Sequence, residues 1–402
     1  MANSLSAGFI EVWSKEYQTV FYKKNVAKQI ADMSFQAQMK KGDTLDRVYR
    51  SDLSSSLAAY TRGTDITITD VTDTAETLSV NAQFAAGIYR DDFDAIQASL
   101  DFAEQYGKDM AVYASNQVDA DVLGQWSVAT STVDDGTLGG TSGNGIVVTT
   151  SNILKIFSQA KKKIKRLNID DSNLFAVISP DVEQVLIEYG AGRDTVMGDG
   201  KNENGRITNF YGFDIFVSNQ LGTSAVLSLA TQPTDGDTVT INGVVFTFKT
   251  TLGTTAGNVY TVTNVDTTRA NLAALINTPG TTTANGVALS VANQNIMRNC
   301  TATNDNTADT LTLNYKGLGV LAVSETLTDA TDTWTVGKTQ QHLLMGQKGG
   351  TTVVMQKEPS IETKEEPKRF GKNILVGELY GFKTFADGAK RLVDVKVDTT
   401  SF

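Results

Sequence analysis

The chain has 402 residues, with 45 acidic against 35 basic side chains and a formal net charge of −10. Its 40 % apolar fraction is enough for a buried core and too high for a disordered chain; the acidic balance disfavours a general nucleic-acid binder, although local positive patches remain open. One cysteine (Cys300) and one histidine (His342) exclude an internal disulfide and weaken proton-transfer and His/Cys metal chemistry.

No basic flank leads into an apolar run at the N-terminus, and no apolar stretch approaches about 18 residues. The expectation is a chain held in a reducing, soluble compartment, without a membrane span. Residues 5–34 read as one or two amphipathic helices, with Phe9, Val12, Trp13, Tyr17, Val20, Phe21, Val26, Ile30 and Met33 at spacings of three to five. Lys15, Lys23, Lys24, Lys28, Lys40 and Lys41 oppose only Glu16 and Asp32, so this segment is positive inside an acidic protein. It is either a solvated face on its own domain or an arm laid against another chain or a polyanion.

Asp46–Arg50, Asp65–Asp70 and Glu76–Tyr89 have strand character, and Leu78, Val80, Ala82 and Phe84 alternate. Between them, residues 51–63 are polar and poor in large apolar groups. A long two-stranded ribbon with so little core must lie on something else, in cis or in trans.

Asp91 or Asp92 is placed to cap a helix in which Phe93, Ile96, Leu100, Ala103, Gly107, Met110 and Ala114 alternate steps of three and four. Val118 and Val122 extend the stripe to Gly124, giving a helix of about 48 Å. The small residues in its seam point to close packing on a sheet or loop. After a Gly/Thr/Asp-rich loop at 130–145, a helix from Ser151 ends in Lys161, Lys162, Lys163, Lys165 and Arg166, where positive charge suits the helix terminus. Leu174–Ile178 reads as a buried strand. Ser179-Pro180 opens a helix to Tyr189, and a Gly/Asp/Asn-rich loop precedes a strand at Tyr211–Ser218.

From about 224 to 338 the composition changes: 28 of residues 231–340 are threonine, against five basic and eight acidic side chains. A hairpin is expected around Asn242-Gly243, with short strands at Val259–Val262, Val287–Val291, Thr310–Tyr315 and Val320–Ser324 and a helix at Asp266–Asn277. This reads as a compact β-rich module inserted in a host that resumes at His342–Gln347. The host ends in strands near Thr352–Gln356, Ser360–Thr363, Ile374–Phe385 and Leu392–Val397.

Catalytic motifs are missing. A phosphate loop would need glycine at Thr195 and Ser/Thr at Asn202, and no nucleophile elbow, zinc pair or calcium loop matches. His342, among Leu343, Leu344 and Met345, reads as a buried structural histidine, and Cys300 as an inert buried thiol. No catalytic residue, cofactor or metal is expected, and the chain is read as not an enzyme.

The order of elements resembles the major capsid protein fold of tailed double-stranded DNA bacteriophages, shared with the herpesvirus capsid floor and the encapsulins. The resemblance is carried by Phe9-Ile10-Glu11-Val12-Trp13-Ser14-Lys15-Glu16, by Phe84–Phe93, by Ala176-Val177-Ile178-Ser179-Pro180-Asp181-Val182, and by Tyr211-Gly212-Phe213-Asp214-Ile215-Phe216-Val217-Ser218-Asn219-Gln220-Leu221. It covers about 1–222 and 340–402.

The resemblance implies an α+β chain divided into an N-terminal arm (1–35), an extended hairpin loop (36–88), spine helix and peripheral domain (89–149), axial domain (150–222 and 340–356), an inserted Thr-rich β-rich domain (223–339) and C-terminal peripheral strands (357–402). It implies self-assembly into hexamers and pentamers of an icosahedral virion shell around DNA, built in the host cytoplasm. Scaffolding, portal and decoration proteins are the implied partners. Arg47, Arg50, Asp52 and Arg62 are expected at intersubunit contacts along the hairpin, and Trp13, Tyr17 and Phe21 in arm docking. Lys15, Lys23, Lys24 and Lys28 would face the lumen. The insert would stand on the outer face or clasp a neighbour. An encapsulin-like compartment, or a tail or adhesion protein, is the alternative.

Overall fold

A computed structural model describes residues 25–39, 41–50, 57, 59–66, 68, 70, 73–93, 103–191, 207–262, 264–335 and 340–398. Three sheets and a two-stranded ribbon organise them.

The largest sheet has nine strands. Gln340–Gln347 lies at its centre. One edge of this strand pairs with Leu392–Asp398, and the other is shared by Gly222–Ser228 at its start and Leu174–Ile178 at its end. Leu174–Ile178 is buried throughout because it is flanked by strands on both sides and covered by helices, which explains its unbroken apolar run. It pairs in parallel with Phe213–Val217 after a crossover through the helix Pro180–Ala191. That helix begins as its sequence dictates, with the Ser179 hydroxyl accepting the Val182 amide at 3.3 Å and proline in the first turn. The helix Ile153–Arg166 buries Ile153, Ile156, Phe157, Ala160 and Ile164 on the same core and leaves its lysines outside.

The second sheet has three antiparallel strands, Ala82–Asp91, Gly371–Lys383 and Thr352–Glu365. The last runs unbroken where the sequence suggested two pieces, its pairing shifted at Met355/Lys357 and Lys357/Ser360. The spine helix, described over Ala103–Leu123, lies across this sheet. A Cβ at Gly107 would stand 3.2–3.3 Å from Ile361 and Ile374, so the missing side chain lets helix and sheet approach. Where the sequence places the cap, the Asp91 carboxylate accepts the Phe93 amide at 2.9 Å.

The threonine-rich insert has its own core, from Ala225 to Trp334, and a four-stranded sheet of Asn258–Tyr260, Val244–Lys249, Thr238–Ile241 and Val323–Thr326. Asn242 and Gly243 both have positive φ (49° and 80°), the turn expected for this pair. The insert is not self-contained. Cys300–Asp305 and Thr310–Tyr315 extend the nine-stranded sheet through Gly222–Ser228, so host and insert share a layer. Arg269, fully buried on the helix Val265–Asn277, pairs with Asp266 (2.5 Å) and Asp309 (3.2 Å) and donates to Asn304 (2.9 Å), tying helix to strand.

Three expectations are corrected. Asp65–Asp70 has no strand among its described residues. Val287–Val291 is irregular, and from Val291 the chain forms a helix to Met297 whose Asn293 amide is capped by Ser290. Leu392–Asp398, grouped with the peripheral strands, lies in the nine-stranded sheet because its alternate residues fill the first core. Among the described residues no helix is long and apolar enough to cross a membrane.

Candidate assembly interface

The hairpin is built by Thr44–Arg50 paired antiparallel with Asp73–Ser79, from Thr44 opposite Ser79 to Arg50 opposite Asp73. Its base is anchored. Met39, Leu78 and Val80 are buried with Val354 and Phe385 in a small separate core. Beyond that base, the hairpin and its loop carry exposed apolar side chains: Leu57 is 90 % exposed, Ile68 89 % and Ile66 76 %, and Val48 and Tyr60 are also exposed. Five large apolar groups on the hairpin and its loop are thus left exposed in the single chain. The tip is shaped by a turn in which the Thr64 amide and hydroxyl both donate to the Thr61 carbonyl, at 3.2 and 2.7 Å.

The polar residues singled out on the hairpin divide. Arg47 is engaged within the chain: its guanidinium pairs with Asp387 at 2.9 Å and lies over the Phe385 ring at 5.2 Å. Around it, Glu76 accepts the Ala386 amide at 3.0 Å and Lys390 donates to the Tyr49 hydroxyl at 3.0 Å, so the short helix Ala386–Arg391 acts as a bracket for the ribbon. Arg62 is exposed beside Gly63 at the tip turn. Asp52 and the Arg50 side chain lie outside the described residues, as do Trp13, Tyr17, Phe21, Lys15, Lys23 and Lys24. Of the arm cations, Lys28 is described; it makes a loose pair with Glu358 at 3.6 Å.

Where the arm enters the described fold, it is held by a residue that the sequence reading passed over. Asp119, fully buried on the spine helix, accepts the amides of Val26 (3.1 Å) and Ala27 (2.6 Å) and so caps the short helix Ala27–Ile30 from another element. Asn25 also donates to the Ser115 carbonyl at 3.0 Å. The available signal was a carboxylate between Val118 and Ala120, on the apolar stripe of the spine helix that continues through Val122. The next turns bring the chain to Thr351–Val353, where Asp32 exchanges backbone hydrogen bonds of 2.8 and 2.9 Å.

Below the junction of host and insert lies the other site of note. His342 is 1 % exposed. Its Nε2 is 2.8 Å from the Ser224 hydroxyl, its Nδ1 is 2.8 Å from Asp394, and its ring stacks on Trp126 with centroids 3.4 Å apart. The order Ser–His–Asp has the distances of an acyl-transfer relay. All three side chains are buried, with the indole stacked on the imidazole, and they join the strands Gly222–Ser228, Gln340–Gln347 and Leu392–Asp398 at the foot of the insert. The stack requires glycine at 222, since a Cβ there would sit 1.9 Å from the Trp126 indole nitrogen. Cys300 is also buried, and burial pushes its thiol up to about 12. Among the described residues no group of three or more acidic, His or Cys side chains is placed to hold a metal ion.

No protein-family model matches the chain, and no curated protein sequence matches it. Solved structures do. A structure from mycobacterium phage Che8 superposes with a TM-score of 0.57 at 12 % identity, covering 97 % of this chain and 98 % of its own. The capsid structure of cyanophage P-SCSP1u gives 0.55 at 11 % identity, covering 98 % and 94 %. The mature capsid of bacteriophage PhiM1 gives 0.51 at 11 % identity, covering 97 % and 92 %. At such identities the likeness concerns architecture, and it runs through nearly the whole length, insert included. The chain has the α+β fold of these phage capsid structures.

Proposed function

We propose that this chain is the major capsid protein of a tailed double-stranded DNA phage, working by assembly rather than turnover. Copies join as hexamers and pentamers of an icosahedral shell, made in the host cytoplasm and retained in the virion. The hairpin lies across a neighbouring subunit and the arm runs along an adjacent chain on the inner side, where its lysines meet scaffold or DNA. Arg50, Asp52 and Arg62 make polar contacts around the hairpin, and Trp13, Tyr17 and Phe21 dock the arm. Arg47 orients the ribbon through Asp387. The insert stands on the outer face or clasps a neighbour, and portal and decoration proteins complete the shell.

The observation that carries this reading is the apolar loop around Leu57, Ile66 and Ile68, held on an anchored base and exposed in the isolated chain. Covering about 25 cal/mol per Å2 of such surface in trans is the driving force that assembly needs. Negative-stain imaging of the expressed chain tests it. Closed shells or ring-shaped capsomers are expected; monomers at high concentration contradict it. Particles purified from the natural source holding a cargo protein and no DNA point to a compartment instead, and elongated trimers to a tail protein.

A further inference from the structure

Glu378 lies in the middle strand of the three-stranded sheet, opposite Phe84, and is 3 % exposed. Neither of its carboxyl oxygens has a hydrogen-bond partner. Two residues along the same face, the Tyr380 hydroxyl donates to Asp121 of the spine helix at 2.6 Å. The seam between helix and sheet therefore holds two carboxyl groups, one of them bare.

A third element closes this corner. Gln117, one turn before Asp121, donates to Asn299 of the insert at 3.0 Å, and the Lys316 stem lies against Gly124. The charge that acts on Glu378 is Asp121 from the helix, and Lys316 from the insert acts in turn on Asp121; Lys357 on the neighbouring strand is opposite Leu379, with its ammonium toward Gly377 on the other face. Arg298 lies 6.0 Å from the Phe84 ring, and Lys357 is paired with Glu362 at 2.7 Å. The Tyr380 hydroxyl is committed to Asp121. An ionised Glu378 would be a buried anion without a donor beside a second carboxylate, which the seam tolerates poorly; a neutral one is tolerated.

We propose that Glu378 is a proton-controlled latch: its neutral form lets the end of the spine helix seat on the sheet, and its ionisation loosens that seat and the insert contact beside it. The latch works within one chain and does not require copies to assemble. Burial first, and then the charge of Asp121, push the Glu378 carboxyl up from 4.5 to about 7. The folded state therefore holds the proton more tightly than an opened one. Seating is strongest below about 4.5 and weakens as pH rises to about 7.

Hydrogen exchange of the full chain between pH 5 and pH 8, corrected for intrinsic rates, tests this. In the unmodified protein, local opening of Gln117–Leu123 and Ile374–Tyr380 should rise by one to two orders of magnitude on the order of the linkage limit, while Leu174–Ile178 stays constant. Glu378→Gln should abolish the pH dependence. Asp121→Asn keeps an acceptor for Tyr380 but removes the neighbouring charge, and should shrink the pH dependence without abolishing it. A flat profile in the unmodified chain overturns the latch, and so does a Glu378→Gln protein that keeps the unmodified profile. Should that variant not fold, the unmodified and Asp121→Asn profiles decide the matter.

Discussion

Replacing His342 by leucine removes a side chain that joins the entry strand of the insert, its exit strand and the C-terminal strand. The ring is buried, bonded to Ser224 and Asp394 at 2.8 Å each and stacked on Trp126. His342→Leu leaves a buried hydroxyl and a buried carboxylate unpartnered, which costs about 1–3 kcal/mol for the hydroxyl and at least as much for the carboxylate. The lost stack adds roughly 1 kcal/mol. A total of about 4 kcal/mol is expected, read from the urea midpoint by circular dichroism. The double variant His342→Leu/Asp394→Leu removes the orphaned charge together with its partner and should recover most of the loss, giving a large coupling energy in the cycle. A His342→Leu protein within about 1 kcal/mol of the unmodified one, or strictly additive effects, would refute the idea that this chain of hydrogen bonds clamps the insert to its host.

Arg269→Leu should destabilise the insert by about 2–4 kcal/mol, because its aspartate partners are half-exposed and can be rehydrated while the Leu229 carbonyl, which also accepts from Arg269, cannot; thermal unfolding reads this. Cys300 should resist a thiol reagent at pH 8 in the folded chain and react with one equivalent after denaturation, since its buried thiol stays protonated. The hydrogen bond from Lys348, at 2.6 Å, holds the Asp214 carboxyl below its ordinary 3.8, so its contribution is present above that value and is lost as pH falls through the lowered one. Asp214→Asn should flatten the acid limb of the stability profile, modestly because the pair is solvated.

Much of the architecture was legible because local rules and tertiary packing agree. Ser179-Pro180 opens a helix and Asn242-Gly243 turns a hairpin, while small Gly107 brings the helix close to its sheet. The errors have a common physical origin. A threonine-rich strand pattern such as 287–291 fits an edge or a loop equally well until its partner is known. The alternation in Leu392–Asp398 identifies a buried face but not which sheet supplies it, so its placement beside Gln340–Gln347 was not readable.

The sequence showed a hairpin short of core, but residues 51–63 read as polar, so the exposed Leu57 and Tyr60 were not foreseen; the partner of Arg47 lies 340 positions away in sequence and no local pattern announces it. Asp119 and the Ser224–His342–Asp394 chain were missed for the same reason. Each becomes meaningful when distant strands or helices bring its partners within hydrogen-bond reach.

Sedimentation velocity of the variant carrying Leu57→Ser, Ile66→Ser and Ile68→Ser is the most direct trial of hairpin docking between copies. These side chains touch little in their own chain, so unfolding should be unchanged, whereas each subunit contact should lose about 5 kcal/mol of apolar burial. The unmodified chain should sediment as large particles and the variant as small species. A variant that assembles as readily as its parent would contradict the account.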